Sequence, residues 1–114
     1  MVKNNSNKDL NAPATLSKTG YQAWKTITDF LSEKDMTYTG GCKAFYTGRE
    51  AEEFHGFELS GAALVVHYDG GDLGYCFNRD WDVPTLVDEL ESRLEKAGFY
   101  VEPINNWSSA IYKA

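Results

Sequence analysis

Apolar side chains recur along this chain with two different periods, and the switches between them mark the elements. From Gly20 to about Lys34, Tyr21, Trp24, Ile27 and Leu31 fall at helical spacing, with Lys18, Lys25 and Asp29 on the polar side. That spacing predicts a helix whose apolar stripe faces a sheet. Thr19 opens the string TGYQ, a capping box in which its hydroxyl would accept from the Gln22 amide while Gln22 reaches back. A second helix is predicted over 83–97. Asp82 would cap it, Leu86, Val87, Leu90, Leu94 and Ala97 form one stripe, Glu89 and Arg93 pair at i,i+4, and Gly98 ends it.

Elsewhere the pattern is β-like. MTYTGGCKAFYT, residues 36–47, predicts a strand interrupted at Gly40-Gly41, and GREAEEFHGF a short helical turn or an irregular loop. In AALVVHYDGGDLGYCFN, residues 62–78, two apolar runs flank Asp69-Gly70-Gly71-Asp72, the pattern of a β-hairpin with a glycine-permitted turn. Residues 99–104 and 107–113 predict a closing hairpin turned at Asn105-Asn106. The expected architecture is a single small α+β domain of order α-β-β-β-α-β-β, with a mainly antiparallel sheet and both helices packed on one face. Residues 1–16, rich in Asn and without period, are expected to be a flexible leader to a domain over 17–114. An edge strand near Met36 or Lys113 makes a homo-oligomer possible.

Composition narrows the function classes. A chain of 114 residues can build one core without a metal or disulfide. The net charge of -6 is concentrated in residues 69–102, where nine acids face only Arg79, Arg93 and Lys96. Such a field repels nucleic-acid backbones and suits a basic protein surface, so Glu89, Glu91 and Glu95 on the second helix are the candidate partner contacts. Cys42 and Cys76 are not closely spaced, and the longest apolar run, Ala62 to Val66, is far too short to span a membrane. Reduced thiols in a cytoplasmic protein are expected.

Candidate chemistry is sparse. Cys42, His55, His67 and Cys76 count to a zinc set but lack the close pairs that zinc sites use, so no metal is assigned. A thiolate at Cys42 or Cys76 would need a base, and His67 is the one candidate in the predicted sheet. Asp69 and Asp72 read as turn formers before they read as acid–base or cation-binding groups. The glycines between them do not open a helix and form no phosphate cradle. Glu50, Glu52, Glu53 and His55 beside Phe54 and Phe57 read as a solvated connector or a partner-binding loop. The richest set is aromatic and amide: Tyr75, Phe77, Asn78, Arg79, Trp81 and Trp107. Core packing explains it most simply, and a groove for a planar, polar ligand such as a nucleotide is the functional reading. No catalytic residue and no cofactor emerge, so the chain reads as a binding protein and not an enzyme.

The strings TGGCKAFYTGRE, LVVHYDGGDLGYCFN and WSSAIYK resemble a family of short, functionally unassigned bacteriophage and prophage proteins that carry GGCK, DGGDL and W-x-x-x-IYK strings. The resemblance spans about residues 38–113 and its motifs are structural, so it transfers no catalytic residue. It implies a phage or mobile-element accessory protein, acting in the host cytoplasm, that counteracts a host defence system by stoichiometric binding. An acidic inhibitor of anti-CRISPR or anti-restriction type fits the charge map. The alternative is a sponge for a nucleotide signal, of anti-Thoeris or anti-CBASS type, using the aromatic set. A small hydrolase using Asp69, Asp72 or His67 is the third reading.

Overall fold

A computed structural model describes residues 8–78 and 84–114. The class is as expected: α+β, with one four-stranded antiparallel sheet. Helix α1 (Lys18–Glu33) precedes strand β1 (Phe45–Tyr46), helix α2 (Gly48–His55) and strand β2 (Leu64–His67). Helices α3 (Leu73–Phe77) and α4 (Pro84–Lys96) follow, then the hairpin of β3 (Phe99–Asn105) and β4 (Ser108–Lys113). The strand order is β1-β2-β4-β3, so the closing hairpin inserts β4 beside β2. Val65 lies opposite Ala110 and Ile111 opposite Val101, while a bulge shifts the register between Pro103 and Asn105.

The pleat gives the sheet two faces. Phe45, Leu64, Val66, Phe99 and Ile111 point to one, where Ile27, Phe30 and Leu31 of α1 and Leu90 and Leu94 of α4 close the main core. Both long helices thus cover the same face, as the sequence predicts. Val65 and Ala110 point to the other, where α2 contributes Ala51 to a smaller cluster with Leu59 and Ala62.

Several expectations are corrected in detail. Helix α1 is capped not by Thr19 but by Ser17, whose hydroxyl accepts from the Gly20 amide at 2.9 Å. Its buried stripe is Gly20, Ala23, Ile27, Phe30 and Leu31, and Tyr21 is exposed. The reason is close approach: a Cβ at Gly20 would sit 2.2 Å from the Ala63 carbonyl oxygen. Small residues therefore face the sheet there, and Tyr21 and Trp24 are turned to the flank. The 36–47 segment is strand only at Phe45–Tyr46. On α4, Val87, Leu90 and Leu94 are buried and Ala97 is exposed, while the expected Asp82 cap lies outside the described residues.

The predicted hairpin over 62–78 does not form. Its second arm is helix α3, in which Leu73, Cys76 and Phe77, at i, i+3 and i+4, enter the main core. Asp69-Gly70-Gly71-Asp72 instead docks on a distant loop. The Asp72 amide donates to the Tyr38 carbonyl at 2.7 Å, and its carboxylate accepts from the Tyr38 amide at 3.1 Å. Gly71 has φ 78°, and a Cβ there would lie 2.2 Å from the same carbonyl, so glycine is required twice over. The element order is therefore α-β-α-β-α-α-β-β.

The described part of the expected leader is docked. The Asp9 carbonyl accepts from the Ala44 amide at 2.9 Å, its carboxylate accepts from the Thr39 hydroxyl at 3.1 Å, and the Leu10 carbonyl accepts from Trp24 Nε1 at 2.8 Å. The sheet edges are β1 and β3, whereas Lys113 lies in the interior strand β4 and Met36 in no strand. Among the described residues no helix is long and apolar enough to cross a membrane.

Candidate functional site

Helix α4 carries the acidic candidates, and the sequence around it decides which of them face outward. At 100° per residue, with Val87, Leu90 and Leu94 buried, Asp88, Glu91 and Glu95 fall within about 60° of one another along one flank of the helix. Asp88 and Glu95 are exposed, and Glu91 is half-buried. Glu89 is turned toward α1, where its carboxylate meets Lys34 at 3.0 Å and Arg93 at 3.4 Å. Arg93 in turn makes a bidentate pair with Glu33, both bonds 2.6 Å, which holds the Glu33 carboxyl below its usual range and raises the guanidinium. Two cations of this region are therefore engaged between the helices. Of the expected contacts, Glu91 and Glu95 lie on the acidic stripe, Asp88 joins them, and Glu89 belongs to the α1–α4 seam.

Glu91 also forms one wall of a concavity of about 200 Å³ lined by Tyr68, Phe77, Asn78, Val101, Pro103, Asn105 and Asn106. Its floor is built by packing: Tyr68 and Phe77 stack at 5.1 Å, and the Tyr68 hydroxyl and Ser109 Oγ are 2.8 Å apart. Burial raises the Tyr68 phenol, so it stays protonated. Asn78 Nδ2 donates to the Asn106 carbonyl at 3.1 Å, tying the end of α3 to the β3–β4 turn. The predicted aromatic set is not brought together. Phe77 and Asn78 line this concavity, Tyr75 is exposed on α3, and Trp107 packs against the opposite sheet face with His55 and His67. Arg79 and Trp81 lie outside the described residues.

That opposite face holds a second cluster, which the linear sequence separates. His67 ends β2 and His55 ends α2, twelve residues apart, yet their Nε2 atoms are 3.2 Å from each other. One ring donates and the other accepts. Tyr46 lies 4.3 Å from the His67 ring and Phe54 5.3 Å, while Trp107 stacks on His55 at 5.2 Å. Burial, reinforced by His55, lowers His67 to about 4, and burial lowers His55 as well. Both rings are neutral at pH 7. The helix that delivers His55 is fixed at both ends, by the reciprocal Thr47–Glu50 capping box and by Gly56 in the left-handed region at φ 76°.

The remaining candidates are dispersed or already engaged. Cys76 is buried in the main core beneath α1 and α4, where burial pushes its thiol up to about 12, so no thiolate is available there. Cys42 is exposed. Asp72 is held by Tyr38, Glu50 caps its own helix, and Glu52 accepts from the Leu59 amide at 2.9 Å. Among the described residues no three His, Cys, Asp or Glu side chains gather around one point. No family model matches the chain, and neither a curated protein nor a solved structure is significantly similar to it.

Proposed function

We propose that the protein is a stoichiometric binder whose acidic α4 face seats on a basic protein surface. The observation that carries this reading is the disposition of charge on one rigid helix. Asp88, Glu91 and Glu95 share one flank of it, while Arg93 and Lys34 are bound to Glu33 and Glu89 in the seam. A preformed row of carboxylates steers toward a basic partner and loses little conformational freedom on docking. The host-defence setting, a nuclease whose nucleic-acid channel is basic, comes from the resemblance of the GGCK, DGGDL and IYK strings. The concavity beside Glu91 favours this reading over a nucleotide sponge. At about 200 Å³ it is smaller than the roughly 300 Å³ at which ligand pockets begin.

The test is phage plating on bacteria carrying a restriction or CRISPR system and expressing the protein. Wild type should restore plating, the triple change Asp88→Lys, Glu91→Lys, Glu95→Lys should lose that effect, and Tyr100→Ala on the other sheet face should keep it. Full activity of the triple variant, or a nucleotide released intact from heat-denatured protein, would overturn the reading.

A further inference from the structure

Among the described residues, the histidine pair is a cluster of ligand-type side chains that the acidic-face reading leaves unused, and its nitrogen separation is one that a metal ion would also accept. Two imidazole nitrogens on one tetrahedral ion, each at about 2.0–2.1 Å, lie about 3.3 Å apart. The Nε2 atoms of His55 and His67 are already 3.2 Å apart. Their rings are nearly perpendicular, at 89°, and each is braced by a neighbour: Tyr46 against His67 and Trp107 against His55. Ligands fixed by packing lose little entropy when an ion arrives. The C-terminal end of α2, where His55 sits, carries partial negative charge and favours a cation.

We propose that His55 and His67 form a two-histidine site for a borderline transition-metal ion, Zn²⁺, Ni²⁺ or Cu²⁺, with water completing the coordination in the isolated protein. Imidazole is the donor these ions share, whereas Mg²⁺ and Ca²⁺ require oxygen ligands and are not expected to bind here. Ligation places both ring protons on Nδ1. The ring that donates through Nε2–H in the empty pair changes tautomer, and no covalent bond to carbon is made or broken.

The experiment is titration of chelator-stripped protein, with Zn²⁺ followed by calorimetry and Ni²⁺ by tryptophan fluorescence. One Zn²⁺ per chain should bind, with a dissociation constant on the order of tens of micromolar. His55→Gln and His67→Gln should each weaken it roughly tenfold or more. Because Trp107 stacks on His55, Ni²⁺ should quench its emission, and Trp107→Phe should lose that quenching. His67 is buried, so if circular dichroism shows that His67→Gln is unfolded, the half-buried His55 decides the matter. Absence of saturable binding below millimolar Zn²⁺, binding unchanged in folded His55→Gln, or binding lost in Cys42→Ser but kept in both histidine variants would each overturn the assignment.

Discussion

The two faces of the sheet are built to different rules. On the face under α1, α3 and α4, Phe30, Leu64, Val66, Leu90, Leu94, Phe99 and Ile111 pack together, and the Tyr68–Ser109 contact is a polar pair within that layer. On the other, small residues such as Ala51 and Ala110 bring α2 close to the strands. There the histidines meet inside an aromatic ring set, and Phe54 and Phe57 stay exposed. The first face gains stability from apolar area, which is non-directional and tolerant of chemistry. The second depends on particular partners at particular distances. The contrast teaches that the fold is specified by one face, while the candidate sites sit on the other and along the flank of α4.

The contrast can be broken by experiment, and the largest effect should come from the apolar face. Phe30→Ala should cost about 3–5 kcal/mol in urea denaturation, against less than about 1 kcal/mol for Phe54→Ala, a residue 60% exposed. Equal losses would erase the distinction. Next is a pH effect belonging to the second face. His67 is held neutral down to about pH 4 in the fold but takes a proton near 6.5 once unfolded. The unfolded state therefore binds more protons between those values, so its contribution is whole above pH 6.5 and is lost as pH falls toward 4. The loss should be about 3 kcal/mol at most, and a folded His67→Gln variant should flatten this window when both are measured in EDTA. The smallest effect is local. Thr47→Ala removes half of the capping box and should cost about 1 kcal/mol, with faster amide exchange in α2 and unchanged exchange in α1.

How much of this was legible follows the same division. The helices over 18–33 and 84–96 and the closing hairpin were readable because each carries its own period and its own stop, Gly98 among them. The stretch LGYCF misled because five residues of aromatic and apolar character fit either period. Its i, i+3, i+4 triplet of Leu73, Cys76 and Phe77 was the helical signal, outweighed by the turn-like Asp-Gly-Gly-Asp before it. That tetrapeptide answers to Tyr38, more than thirty residues away, and no local rule reports such a contact. The sequence TGRE at Thr47 held a genuine capping box, while the similar string at Thr19 lies within a helix that Ser17 had already begun. At the sites, the acidic concentration on 69–102 was visible as composition, but separating Glu89 from Asp88 required knowing where α1 lies. The histidine pair had no linear signature, since α2 must first dock on β2 to bring its members together.

The tether of residues 8–10 bears on how the protein behaves in a crowded solution. A sheet propagates from one molecule to the next through the unpaired amides and carbonyls of its outermost strands. At one border the strand is only two residues long, and the Ala44 amide just before it is already taken up by the Asp9 carbonyl. At the other border Pro103 has no amide hydrogen to offer, and the bulge beside it breaks the regular ladder. Both margins are thereby blunted against end-to-end growth of the sheet, which lets a small, aromatic-rich chain accumulate without turning its strands into a template for fibres.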